Sequence, residues 1–174
     1  MPSLPKTMNI YILRHGLAVE RGTAGFKKDS DRPLTPKGKQ RLWRIAEAME
    51  AMELEFDAIL SSPYLRAMQT AEIIAEAFEL RRKLTFANAL VPGGNPRSLI
   101  AHINKLEPAP KNLLLVGHEP YLGKLIGTLT AGNASMTLDL KKGGLAKVEV
   151  ETLCYGRCAT LTWLVTPKQM LLML

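Results

Sequence analysis

Leu113-Leu114-Leu115-Val116-Gly117-His118 is the stretch that decides how this chain folds. A continuous apolar run of this kind is a strand buried on both faces, as in a parallel sheet covered by helices. Working outward, Ile10-Tyr11-Ile12-Leu13 is a second such run, and it ends in Arg14-His15-Gly16. Ala58-Ile59-Leu60 is a third and ends in Ser61-Ser62-Pro63, with Arg66 one helical turn later. Amphipathic segments lie between the runs. Thr35 can cap and Pro36 suits the first turn of a helix whose apolar face is Leu42, Ile45, Ala46 and Met49. Residues Tyr64 to Phe78, Arg97 to Leu106 and Tyr121 to Thr130 read as further helices.

Strands alternating with helices are the α/β signature. The expected fold is a single three-layer α/β domain over residues 8–174, with a mainly parallel sheet and helices on both faces. Gly22 to Pro36 reads as a long polar loop over one edge. Arg81 to Phe86 reads as a short strand or extended link, and Val91 to Pro96 as a loop. The last third reads as a β-hairpin, Ala146 to Leu153 with Ala159 to Val165, turning at Tyr155-Gly156. The apolar tail Met170 to Leu174 is expected to pack on the body or on a partner. Met1 to Thr7 reads as a loose leader, since nothing in it can bury an apolar face.

Composition sets bounds. The chain has 174 residues, 47% hydrophobic and 22% charged, an ordinary globular balance that argues against disorder. No run approaches the ~18 apolar residues of a membrane span, and the N-terminus lacks the apolar core of a secretory signal, so a cytoplasmic location is expected. The net charge of +7 is spread over short groups such as Lys27-Lys28, Arg81-Arg82-Lys83 and Lys141-Lys142. With no long basic run, stacking aromatics or zinc spacing, nucleic acid is not the expected partner. Most of these groups read as solvated surface, with some able to rim an anion site. Cys154 and Cys158 read as ordinary thiols.

In open α/β sheets, ligands bind beyond the carboxyl ends of the strands. If the three strands are neighbours, Arg14, His15, Arg66 and His118 converge on one anion-sized point. Guanidinium groups would clamp the oxygens of a phosphate while an unprotonated ring nitrogen faces phosphorus. Gly16 would let backbone N–H groups approach the same ligand. His102, in mid-helix, has no such context.

These residues resemble the histidine phosphatase superfamily, whose fold is shared with phosphoglycerate mutases, and within it the small SixA-like phosphohistidine phosphatases. Arg14-His15-Gly16 is similar to the nucleophile motif, and Asp31 to Gly38 to the Arg-Pro-Leu-Thr segment of the small subgroup. Ser61 to Arg66 with Gln69-Thr70-Ala71 resembles the second phosphate-binding element, Val116 to Pro120 the second-histidine element, and Trp163 to Lys168 the terminal strand. The resemblance implies that His15 attacks phosphorus, that Arg14, Arg66 and His118 hold the oxygens, and that Arg32 adds a contact. It implies no cofactor and no metal.

The chain departs from the family pattern in its general acid. The segment between Phe78 and Asn112 is short and carries no carboxylate in its exposed Gly93-Gly94-Asn95 loop. Glu119 reads either as a catalytic acid or as a carboxylate favouring a helix N-terminus, and Asp31 is a second candidate. Lacking a long insertion, the site is expected to be open and shallow, which suits a phosphohistidine on a partner protein. The rival enzyme reading is a phosphomonoesterase acting on a small metabolite. The rival from another class is a non-catalytic module binding phosphoanions or nucleic acid, against which the pair His15 and His118 speaks, because binding needs only the arginines.

Overall fold

The computed structural model describes residues 7–174, so the segment expected to be a loose leader lies outside the described residues except for Thr7. The described residues form one six-stranded sheet in the order β3-β2-β4-β1-β5-β6. Its strands are β1 (Met8–Arg14), β2 (Ala58–Ser61), β3 (Leu84–Phe86), β4 (Asn112–Gly117), β5 (Leu145–Val150) and β6 (Ala159–Val165). The first four run parallel, while β5 and β6 are antiparallel to their neighbours. Strands β2, β4 and β1 are adjacent, with Ser61 opposite Val116 and Arg14 opposite Gly117, so their carboxyl ends stand level.

The apolar runs are continuous because both faces of the sheet are covered. Successive side chains of a strand point to opposite faces. Ile10, Ile12, Leu113 and Leu115 therefore face one core, with Leu99 and Ile103 of α3 (Pro96–Ile103) and Leu122, Leu125 and Ile126 of α4 (Tyr121–Ala131). Tyr11, Leu13, Leu114 and Val116 face the other. There they meet Leu42, Ile45 and Met49 of α1 (Pro36–Ala51), Ala71 and Ile74 of α2 (Leu65–Ala77), and Met170 of α5 (Pro167–Leu171). Thr35 caps α1 by accepting from the Gly38 N–H at 3.0 Å, and Pro36 opens the helix.

Some expectations are corrected. Helix α3 starts at Pro96, where the Asn95 carboxamide accepts from the N–H of Arg97, and it stops at Ile103. The segment Arg81 to Phe86 divides into a 3-10 turn, Arg81–Lys83, and the edge strand β3. The first hairpin arm ends at Val150, because the Cys158 N–H is drawn to the Leu129 carbonyl at the end of α4 and residues 151–158 make a broad connection. Cys154 and Cys158 are free thiols there. Met170 is buried, but Leu172, Met173 and Leu174 are exposed, so only the start of the apolar tail packs on the body. Among the described residues no helix is long and apolar enough to cross a membrane.

Candidate active site

His15 follows the end of β1 and is only 6% exposed. Its Nδ1 lies 2.8 Å from the Gly16 carbonyl oxygen, which can only accept, so Nδ1 carries the ring proton. Nε2 is left with its lone pair, and Arg66 Nε donates to it at 3.2 Å. Burial, opposed by the Gly16 carbonyl and reinforced by His118, Arg66 and Arg14, lowers the His15 pKa from 6.5 to about 3. The imidazole is neutral at physiological pH, and its unprotonated nitrogen accepts from a guanidinium.

Arg66 sits in the first turn of α2 and is 3% exposed. Besides His15, it donates through Nη1 to the Asp29 carbonyl at 2.7 Å and through Nη2 to Asp29 Oδ2 at 2.9 Å. The Gly16 N–H donates to Thr70 Oγ1 at 3.1 Å, and that hydroxyl donates to the Arg66 carbonyl at 2.7 Å. The bonds His15–Gly16–Thr70–Arg66–His15 close a circuit between the end of β1 and the start of α2.

His118 is 1% exposed, and its ring centroid lies 5.1 Å from that of His15. Its Nε2 is 2.8 Å from Ser62 Oγ, which accepts from the Tyr64 N–H at 3.2 Å. All three groups are satisfied when the Ser62 hydroxyl donates to Nε2, which puts the ring proton on Nδ1. That Nδ1 is buried and has no partner, so it is a donor left over for a ligand. Burial, followed by the charge of Arg66, lowers the His118 pKa to about 3. Arg14 donates from Nη1 to the Leu140 carbonyl at 2.9 Å, while its buried Nε is unpartnered.

The four residues expected to converge do so. Two of the weaker candidates, Gly16 and Asp31, are corrected. Gly16 is not a phosphate-binding amide, because its N–H is committed to Thr70, and its φ is not positive. It is required by packing: a Cβ there would stand 2.7 Å from Leu42 Cδ1 in a closed core. Gly16→Ala is expected to cost about 1–3 kcal/mol of stability from overpacking, read as a lowered Tm; an unchanged Tm would show that Leu42 yields freely.

Asp31 is exposed and accepts from Ser30 Oγ, away from the histidines. Asp29 is the acidic residue brought to the site instead. Both lie in a 3-10 turn, Asp29–Asp31, where residues two apart point in different directions and residues three apart share a side. Arg32 is three residues from Asp29, and its Nε donates to Asp29 Oδ1 at 2.9 Å while Nη1 donates to the Val19 carbonyl at 2.6 Å. Its guanidinium is engaged by Asp29 and Val19, as that of Arg66 is by Asp29 and His15, and its charge acts on His118. Burial raises the Asp29 pKa, but the hydrogen bonds and charges of Arg32 and Arg66 outweigh it and hold the carboxyl down to about 2. The i,i+3 spacing of Asp29 and Arg32 was the signal available in the sequence.

Glu119 lies at the start of α4 with Oε1 buried and unpartnered. Burial pushes its pKa up, against the Gly123 N–H and the Arg14 charge. Asp29 ties its loop to Arg66 beside His15, and a groove of about 520 Å³ is lined in part by Arg14.

The buried histidines set a pH dependence. Unfolded histidine takes up a proton near pH 6.5, but His15 and His118 resist protonation in the folded chain until about pH 3. Between these values the unfolded chain binds more protons, so stability falls as pH drops through 6.5 towards 3. His118→Asn removes one such group, and its thermal midpoint is expected to decline less steeply with acidification. Parallel slopes for the two proteins would overturn this assignment.

Residues 10–88 match the family model of the histidine phosphatase superfamily (branch 1). The SixA homolog of Haemophilus influenzae, a phosphohistidine phosphatase, is 31% identical over 130 residues, covering 70% of this chain and 77% of the relative. The phosphohistidine phosphatase SixA of Escherichia coli K12 is 29% identical over 148 residues, covering 79% and 89%. The solved structure of the protein histidine phosphatase SixA with tungstate superposes at a TM-score of 0.76 with 27% identity, over 94% of this chain and 99% of that one. On its sequence, its fold and the convergence of its strand ends, the chain belongs to the histidine phosphatase superfamily.

Proposed function

We propose that this chain is a phosphohistidine phosphatase acting on a partner protein, with His15 as nucleophile. The observation that carries the reading is the protonation pattern around His15. Its Nε2 is unprotonated and accepts from Arg66 Nε, and the carboxylate that Arg66 also meets, Asp29, is held ionised by two arginines. Such a site has a nucleophile ready at neutral pH but no proton on Asp29 to give to a departing alkoxide. Glu119 stands just before α4, where a carboxylate favours the helix N-terminus, although burial pushes its pKa up.

A protonated phosphohistidine needs no such proton. His15 Nε2 attacks phosphorus, the P–N bond of the substrate breaks, and the substrate imidazole leaves as a neutral ring. His15 then carries the phosphoryl group on Nε2 and a proton on Nδ1, and the Gly16 carbonyl accepts from that proton as the ring becomes positive. Water attacks phosphorus, the bond to Nε2 breaks, and dihydrogen phosphate leaves with both protons of the water. One P–N bond is exchanged for another in the first step, so little driving force has to come from the protein. Arg14, Arg66 and the Nδ1–H of His118 neutralise the equatorial oxygens, which is where fixed donors lower the barrier. The similarity to SixA, including a relative solved with a tetrahedral oxyanion, supports the same class of substrate.

The test is a side-by-side comparison of kcat/KM on a phosphohistidine protein, a phosphoserine peptide and small sugar phosphates. The phosphohistidine protein is expected to be the best substrate by a wide margin. A higher kcat/KM on a sugar phosphate would replace this reading with a phosphomonoesterase.

A further inference from the structure

Lys141 and Lys142, one of the short basic groups that could be solvated surface or rim an anion site, are held next to the end of β1 by the backbone. The Gly143 N–H donates to the carbonyls of Arg14 and His15 at 3.0 and 3.1 Å, and the Arg14 N–H donates to the Gly144 carbonyl at 3.1 Å. The two lysines therefore cannot drift away from the end of β1. They line the groove of about 520 Å³ that opens at Arg14, together with Arg41 from α1 and Lys168 from α5. Leu17 and Pro167 also line it, and no acidic residue does.

The charges are also uncompensated. Lys141 pairs with Asp139, but among the described residues Arg41, Lys142 and Lys168 have no carboxylate within ion-pair distance. Three separate elements have thus placed like charges around one depression, where their repulsion favours an anionic occupant. Arg14, which lines the depression, also belongs to the group of residues gathered around His15. Leu17 and Pro167 add apolar surface for carbon atoms, which a bare inorganic anion would not use.

Resting on the reading of the site as a phosphohistidine phosphatase, we propose that this groove is the docking surface for an acidic segment of the partner protein, next to its phosphorylated histidine. The carboxylates of the segment meet Arg41, Lys142 and Lys168 while the phosphoryl group enters past Arg14. Each exposed charge pair contributes a few-fold at most, so three together are worth roughly ten- to a hundred-fold in kcat/KM at low salt. The contribution shrinks as added salt shortens the range of the charges.

The experiment uses two synthetic phosphohistidine peptides, one flanked by glutamates and the other by glutamines, and a chromogenic aryl phosphate. The variant is R41E/K142E/K168E, which leaves Arg14, His15, Arg66 and His118 intact. The wild type is expected to prefer the acidic peptide about ten-fold or more at low salt, to lose the preference as salt is added, and to lose it in the variant. Turnover of the aryl phosphate is expected to be the same in both proteins. Equal rates on the two peptides in the wild type, or a preference that survives in the variant, would overturn the docking surface. If neither peptide is hydrolysed while the aryl phosphate is, the substrate reading fails by itself. The groove is then judged by fluorescence anisotropy with a labelled, unphosphorylated acidic peptide: binding by the wild type and not by the variant upholds it, and absence of binding removes it. Tripolyphosphate that binds through the same three cations when the peptide does not would assign the groove to a small polyanion instead.

Discussion

His15→Ala is expected to lower turnover by about three to six orders of magnitude, as loss of a covalent nucleophile does. The substitution removes Nε2, the acceptor facing Arg66 Nε, but leaves Arg14, Arg66 and His118 in place. Phosphate or tungstate is therefore expected to bind the variant about as well as the wild type. Rapid quench of the wild type with labelled substrate should trap label on the protein as a phosphoramidate, stable in base and lost in acid. Label that survives acid, or a His15→Ala protein that still turns over, would move the chemistry to another residue.

Arg66→Ala is expected to reduce kcat/KM by about 10²–10³, the usual consequence of removing one fixed donor from a developing anionic centre. Unlike the loss of His15, it should weaken oxyanion binding as well, because a guanidinium holds the phosphate before and during reaction. Arg66→Lys is not expected to rescue it. A single ammonium cannot reproduce three bonds sent in different directions, to His15 Nε2, the Asp29 carbonyl and Asp29 Oδ2. Circular dichroism distinguishes this from unfolding. An alanine variant that binds tungstate with wild-type affinity would remove Arg66 from the clamp.

The parts of the fold that could be read in advance are those where one local pattern has one physical outcome. Four apolar residues in succession at Leu113 to Val116 require cover on both faces of β4, and both core clusters supply it. His15, Ser62 and His118 follow directly on β1, β2 and β4, so level strand ends brought them together. What stayed hidden depends on contacts between distant segments. Asp29 and Asp31 differ in sequence only in their spacing from Arg32, and the phase of the 3-10 turn decides which one meets Arg66. Gly16 resembles a ligand-binding glycine because the Leu42 side chain that demands it comes from α1. The length of the first hairpin arm depends on Cys158 meeting the end of α4, a contact with no local signature.

The circuit from His15 through Gly16, Thr70 and Arg66 back to His15 has a mechanical consequence. Two segments from opposite ends of a long stretch of chain are reduced to a single degree of freedom, so that nucleophile and clamp shift together or not at all. Energies assigned to the four residues separately will not add up to that of the assembly. A change that looks remote from the reaction, such as loss of the Thr70 hydroxyl, would loosen the attacking nitrogen and the group that holds its target in one movement.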